Sequence, residues 1–546
     1  MTMLESKEAL PGDDGQSNAL QAELSKESTN IDKDLQQESE SIASALGGND
    51  DRDSIDEQRG ADLEKATTHA SQGSHNTATR IVTAVDWTGP DDDENPMTWP
   101  LWKKAYNTIA IGSLACAVTC GSSLITPAVP EIAEHFEVSR TAAILSLTLY
   151  VLGLALGPVI AAPISETYGR SIVYKITAPL FLLFILGAGF SKSLGSLLVC
   201  RLLAGAAGAP VLAVGAGSTA DMYPVHTRAL ASSVFIMMPF LGPSLGPVIG
   251  GFAAYYKGWR WTQWCTIFIG IAAFALVLPI QETYKKVILI RRAKKFGVQG
   301  PPLPPVKGWA YIKLLLTITL FRPVHMLGTE PIVLFLSLYS AFTFSVLFSF
   351  FAAYPFTFET VYGFNSWQYG LTFLGILIGV LLAVATTMLI DRKVYMKMHR
   401  ALSDDKTVVA PEHRLYAAMA GALGVPIGLF WFAWSARASV HWISPVLAGI
   451  PFAWGNLSIF IASALYLIDV YGPMNGASAV AANGIARYGM GAIFPLFTFQ
   501  MYERLGVGWA TSLLGFIAVA MMPIPWVFFK YGPTIRSKSG YDTLKV

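Results

Sequence analysis

The residues able to do chemistry in this chain are few and far apart. Its eight histidines stand at 69, 75, 135, 226, 325, 399, 413 and 441, and none repeats at the H-x-x-x-H spacing that would set two imidazoles on one helix face around a metal. No G-x-x-x-x-G-K-[ST] string is present to cradle nucleotide phosphates. Cys116, Cys120, Cys200 and Cys265 fall in or beside apolar stretches, where packing as small hydrophobes is expected rather than a disulfide framework or ligation. What remains is a short turn carrying Glu166, Gly169 and Arg170, the acid Asp221, and two single cations inside apolar runs, Arg201 and Arg487. A cation in such a run is costly to bury and functional by default. Arg201 lies near one end of its run, where reaching for the interface is the alternative. Arg487 has no acidic neighbour in sequence; it suits either an anionic group of a substrate or the carbonyls of a neighbouring helix end. This inventory points to binding and charge handling rather than to covalent catalysis, and no enzyme activity is expected.

The elements that position these residues follow from composition. The 546 residues are 53% hydrophobic, 12% aromatic and only 14% charged. A soluble protein carries about a quarter charged residues, so a chain of soluble domains is excluded and a polytopic membrane protein indicated. Residues 1–95 hold 22 acidic against 7 basic residues, a net charge of −15, which leaves +17 for the rest. That acidic tail is poor in aromatics and in apolar periodicity and is read as disordered. Beyond it, apolar stretches long enough to cross a hydrocarbon core of about 30 Å run approximately over 105–127, 142–162, 172–190, 196–219, 230–254 and 264–281. A basic, proline-rich break follows, and then six more stretches at 331–354, 369–390, 416–435, 443–468, 477–501 and 508–529. The expected fold is all-α, with twelve transmembrane helices in two six-helix halves. Its parts are the tail (1–95), the N-terminal half (96–281), a basic central loop (282–330), the C-terminal half (331–530) and a C-terminal tail (531–546). Lysines and arginines concentrate in the central loop, in 392–414 and at 536–538, which places those segments and both termini in the cytoplasm. The sequon at Asn456 lies inside a span and is expected to stay unglycosylated.

Four segments carry a resemblance to a known family. Ala162-Pro-Ile-Ser-Glu166-Thr-Tyr-Gly169-Arg170 is similar to the loop 2–3 signature of the major facilitator superfamily, with Glu166 for the usual Asp and Ala162 for the first Gly. Leu197-Leu-Val-Cys-Arg201-Leu-Leu-Ala-Gly205 resembles its Arg-centred signature in span four, Ala204 standing where Gln is common. Gly242-Pro-Ser-Leu-Gly246-Pro247-Val-Ile-Gly250-Gly251 matches the antiporter signature of drug:H+ exporters at each defining position. By its residues alone this string lets helices approach closely at every fourth position and bends at Pro247; ordinary small-residue packing is the alternative. Asp221-Met-Tyr-Pro, Gly258-Trp-Arg-Trp261, Glu282-Thr-Tyr284 and Pro411-Glu-His-Arg-Leu415 look like the fungal branch of the twelve-span drug:H+ antiporters, and Asp391-Arg392 resembles a degenerate second copy of the Glu166 loop. The resemblance spans about Asn95 to Tyr541. It implies a major-facilitator-like fold in which Glu166 meets a helix end of the other half and helps latch an outward-open state. It further implies that Arg201 lowers a carboxyl pKa or bridges substrate and proton, and that Gly169, Arg170 and Asp221 complete the gating set.

The expected substrate cavity is apolar and aromatic. Met238, Phe348, Tyr354, Trp454, Asn456, Asn483 and Arg487 are its candidate lining, with Phe240 and Phe344 close by in sequence. Such surfaces repack around varied amphiphiles better than they hold a sugar that needs dense hydrogen bonding. None of the fifteen acids outside the tail falls near the centre of a span, so the carboxyl that would carry a coupled proton is unassigned. The reading that results is a proton-coupled exporter of small amphiphilic organic compounds. It is a monomer in the plasma membrane whose partners are substrate, H+ and lipid, with no cofactor, metal or nucleic acid. An importer or symporter of a small nutrient is the alternative, and a non-transporting sensor stands behind both.

Overall fold

Helices that each satisfy their own backbone hydrogen bonds are one of the two ways a chain can cross a bilayer, and apart from short turns the described residues are helical throughout. The computed structural model describes residues 86–89, 92–298, 300, 317–398 and 409–544. The tail up to residue 85 lies outside them, as do 301–316 of the central loop.

The first half comprises α1 (Leu101–Ser123), α2 (Arg140–Tyr168), α3 (Arg170–Gly189), α4 (Leu194–Met222), α5 (Val225–Lys257) and α6 (Trp259–Val277). An amphipathic helix, Lys285–Phe296, follows outside the bundle. The second half comprises α7 (Pro331–Tyr362), α8 (Ser366–Met398) and α9 (Tyr416–Ser435), then one helical run, Ile443–Met521. Non-helical backbone at Gly472 and Gly506 divides that run into α10 (Ile443–Gly472), α11 (473–505) and α12, which begins at 507 and ends with the helix Ile524–Arg536. The expected two sets of six spans are therefore present. The tight reversals between α2 and α3 and between α10 and α11 use Gly169 (φ +109°) and Gly472 (φ +62°), a region where a side chain would clash.

Water gives no hydrophobic drive inside lipid, so close backbone approach must hold the helices together. The two halves do this in the same way. A Cβ on Gly153 or Gly157 of α2 would run into the carbonyls of Leu202 and Ala206 on α4; a Cβ on Gly375 or Gly379 of α8 would run into those of Val446 and Ile450 on α10. Large side chains that remain exposed, such as Leu156, Leu183, Phe268, Leu381, Ile427 and Phe516, form the surface offered to lipid.

Candidate functional site

The antiporter-like segment is where the halves meet. Gly242, Gly246 and Gly250 recur at one helical turn and turn the same face of α5 to α1, where added Cβ atoms would overlap Thr119, Ser123 and the carbonyl of Leu124. Gly251 points instead across the interface, where a Cβ would stand 2.5 Å from the carbonyl oxygen of Ser366 on α8. Pro247 contributes from that same side, its carbonyl oxygen lying 2.5 Å from where a Cβ of Gly370 would be. One helix thus binds its own half with one stripe of small residues and the opposite half with another face.

Around this contact, at the end of the bundle away from the central loop, the halves are joined. Tyr369 Oη donates to the carbonyl of Pro127 at 3.0 Å, and Gln500 Nε2 donates to Thr141 Oγ1 at 2.6 Å. Phe252 stacks on Trp367 at 5.6 Å. At the loop end the charged clusters stay inside their own halves. Arg170 Nε donates to Asp221 Oδ2 at 3.2 Å, and its Nη1 donates to Ser165 Oγ at 3.1 Å. Glu282, following α6, accepts from the backbone nitrogens of Arg170 (2.7 Å) and Ser171 (3.2 Å), so this carboxylate occupies the positive N-terminus of α3. Glu166 is exposed at the end of α2 and has no hydrogen bond or ion pair with a described residue. In the second half Arg414 joins Asp391 and Asp469, both at 2.8 Å, and Arg536 joins Glu412 at 2.9 Å. Among the described residues no ion pair of the bundle crosses between the halves. The far ends are thus joined by hydrogen bonds and ring stacking across the halves, whereas the loop ends carry no cross-half ion pair among the described residues.

The two single cations prove to have opposite surroundings. Arg201 is completely buried, and its guanidinium donates to three backbone carbonyls, Ser146 (3.0 Å), Gly121 (2.7 Å) and Ser122 (3.1 Å), over the ring of Tyr150. It touches no carboxylate among the described residues; here it ties α4 to α1 and α2. Arg487 makes no ion pair with any described residue; its Nε is buried without a hydrogen-bond partner, and the Tyr488 side chain is the polar group beside it. Its guanidinium carbon lies 4.1 Å from the ring centre of Phe460, 4.5 Å from Tyr488 and 4.8 Å from Phe344. Phe240 of α5 closes on Phe460 and Phe344 from the other half, at 5.4 and 6.1 Å.

Of the other cavity candidates, Phe348 joins this group through Phe344 at 4.7 Å. Asn483 stands one turn before Arg487 on α11, and Asn456 one turn before Phe460 on α10; both are buried with unpaired Nδ2 groups. Met238, Tyr354 and Trp454 are held elsewhere. Met238 packs on Gly112 of α1, Tyr354 stacks on Phe432 at 5.2 Å within the second half, and Trp454 donates to Thr386 of α8 at 2.9 Å. Phe460 and Tyr488 escaped sequence reasoning. The only signal for them was their spacing from Asn456 and Arg487.

Outside the bundle a second site is built from charge. Arg292, on the buried face of the helix Lys285–Phe296, donates through both Nη groups to Asp92 at 2.7 Å and through Nε to Glu94 at 2.7 Å. Lys285 pairs with Asp86 at 2.6 Å. The hydrogen bonds from Arg292, reinforced by Thr88, hold the Asp92 carboxyl well below the usual carboxylate range. The segment entering α1 is thereby fastened to the linker between the halves.

Comparison with known proteins agrees with this architecture. The family model described as Major Facilitator Superfamily matches residues 111–495. Polyamine transporter 4 of Saccharomyces cerevisiae is 39% identical over 84% of this chain and 74% of its own length. MFS-type transporter traF of Penicillium crustosum is 39% identical over 84% of this chain and 93% of its own. Efflux pump FUB11 of Gibberella moniliformis is 39% identical over 83% and 76%. Among solved structures, the proton:xylose symporter XylE superposes with a TM-score of 0.56 over 79% of this chain and 97% of its own, at 17% identity, a likeness of fold alone. Twelve membrane helices in two glycine-packed halves, the family match and these relatives together make the chain a multi-pass membrane transporter of the major facilitator superfamily, in its fungal efflux-like branch.

Proposed function

We propose that this protein is a proton-coupled secondary active exporter of small amphiphilic organic compounds. It would act as a monomer in the plasma membrane with both termini in the cytoplasm. The observation that carries the reading is the seat of α5, whose Gly242–Gly250 stripe lies on α1 while Pro247 and Gly251 lie on α8. A helix so placed governs how the far ends of the halves close, which is the step an exporter must control after releasing its load. The relatives named as efflux pumps support the direction. In this reading the halves 96–281 and 331–530 rock about the aromatic group at their interface, and 282–330 links them on the cytoplasmic side. Glu166, unpaired in this conformation, is the acid available to latch the other one.

The name of the yeast relative raises a polycationic substrate as a second reading. The buried cation Arg487 at the interface, with no carboxylate beside it among the described residues, favours other chemistry, since a polyamine needs acids. The test is accumulation of several fluorescent amphiphiles and of a labelled polyamine in pump-deleted yeast expressing the chain, with and without a protonophore. Lower amphiphile accumulation that the protonophore restores is expected. Accumulation that rises with expression overturns export, and a protonophore-insensitive decrease overturns proton coupling.

A further inference from the structure

We infer that the compounds carried are amphiphiles bearing a single negative charge, and that Arg487 receives their carboxylate or equivalent oxyanion. This rests on the transport reading above and names the substrate class of that site. Arg487 lies about 23 Å along α11 from Gly472 and about 29 Å from Gly506 at 1.5 Å per residue, so it sits at the middle of its span. It is only 9% exposed, and its Nε is buried without a partner. A guanidinium in that position is costly unless something satisfies it. The aromatic faces of Phe460, Tyr488 and Phe344 compensate in part, yet they leave Nε without an acceptor and the charge without a counter-ion among the described residues. Arg201 supplies the internal contrast. Buried as deeply, it finds three carbonyls, as a structural arginine does. Among the described residues no such acceptor meets Nε of Arg487.

The neighbours extend the same character. Asn483 and Asn456 each bury an unpaired Nδ2 a turn away from the group, one on each side along the membrane normal, because α10 and α11 run antiparallel. Unpaired donors therefore flank the group, while the described acids of the bundle, Glu166, Asp221, Asp391 and Asp469 among them, stand at helix ends. A fork of guanidinium donors matches a carboxylate geometrically. The rings around it match a flat apolar body. The group is also shared between halves, through Phe240 of α5, as a site alternately opened to either side must be. One unpaired cation selects one negative charge, and it rejects both cationic amphiphiles and neutral polyols.

The experiment is equilibrium binding to the purified full chain in lipid nanodiscs, with no gradient, using pyrenebutyrate, its methyl ester, and a pyrenebutyl trimethylammonium of matched size. The acid is expected to bind about 10-fold or more tightly than the ester, the size of a charge-assisted hydrogen bond made away from water, with the cation weakest. Arg487→Gln should bring the acid to ester ratio to about 1, with Arg487→Lys between parent and Gln variant. Equal binding of acid and ester by the parent protein, preference for the cation, or an acid preference that survives Arg487→Gln each overturns the assignment. The ligand comparison on the parent protein decides the matter even where the variant fails to fold. Direction is read separately in cells. An anion-selective protein that raises accumulation refutes export and keeps the site, whereas an exporter without acid preference refutes the site and keeps export.

Discussion

Adjacent glycines on α5 offer a test of what the antiporter-like segment does. A methyl at Gly251 would stand 2.5 Å from the carbonyl oxygen of Ser366 and 3.2 Å from Cα of Trp367, both on the opposite half. A methyl at Gly250 would overlap the carbonyl of Leu124, in its own half. Overpacking of this kind costs about 1–3 kcal/mol. At Gly251 the penalty applies only while the far ends of α5 and α8 touch. It therefore shifts the equilibrium away from the closed arrangement by about 5- to 160-fold, at about 1.4 kcal/mol per decade. At Gly250 it applies in every arrangement and lowers stability instead. Ala128, 1% exposed beside Pro127 in the closed far end, reports the difference when replaced by cysteine. In nanodiscs, Gly251→Ala should raise the maleimide labelling rate at Ala128→Cys at least about 5-fold, by the same shift, with the melting temperature nearly unchanged. Gly250→Ala should lower the melting temperature with little change in labelling. Unaltered labelling in Gly251→Ala, or an equal rise in both variants, would show that α5 does not hold the far end shut.

Other expectations follow from the charged groups. Arg201→Ala takes the donor from two buried carbonyls in the last turn of α1, Gly121 and Ser122, at about 1–3 kcal/mol each, so little monodisperse protein should survive size-exclusion chromatography; a well-folded but transport-dead variant would make Arg201 a proton-coupling residue instead. Glu282→Gln removes the negative charge at the N-terminus of α3 and should cost about 1 kcal/mol, read as a lowered melting temperature. Asp92→Asn leaves Arg292 without its bidentate partner and should cost about 3 kcal/mol. Because Arg292 depresses the Asp92 carboxyl in the folded state, that stabilisation is complete above the ordinary carboxylate pKa of about 3.9 and fades only as pH falls below it. The gap in melting temperature between parent and Asp92→Asn should therefore stay constant from about pH 5 to about pH 8; a gap that opens or closes across that range would contradict the clamp.

Much of the architecture was legible in the sequence because a membrane helix is a local object. Each span closes its own hydrogen bonds over about 20 residues, so hydropathy found them, and turn glycines such as Gly169 marked where the chain reverses. The spacing of Gly242, Gly246 and Gly250 likewise announced a packing face on α5. Which partner each face meets was decided only by the tertiary fold. Gly250 and Gly251 are neighbours in sequence and serve different halves, since 100° of helix rotation separates them. Aromatic content could not separate cavity from core, so Tyr354 and Trp454 lie in second-half packing while Phe460 and Tyr488 form the cage. Arg201 and Arg487 read alike as lone cations in apolar runs. Three carbonyls from α1 and α2 satisfy the first, whereas aromatic faces surround the second and leave its Nε unpaired. No local pattern encodes that difference, because what a buried charge requires is supplied by side chains and carbonyls that the folding of distant helices brings within hydrogen-bonding reach.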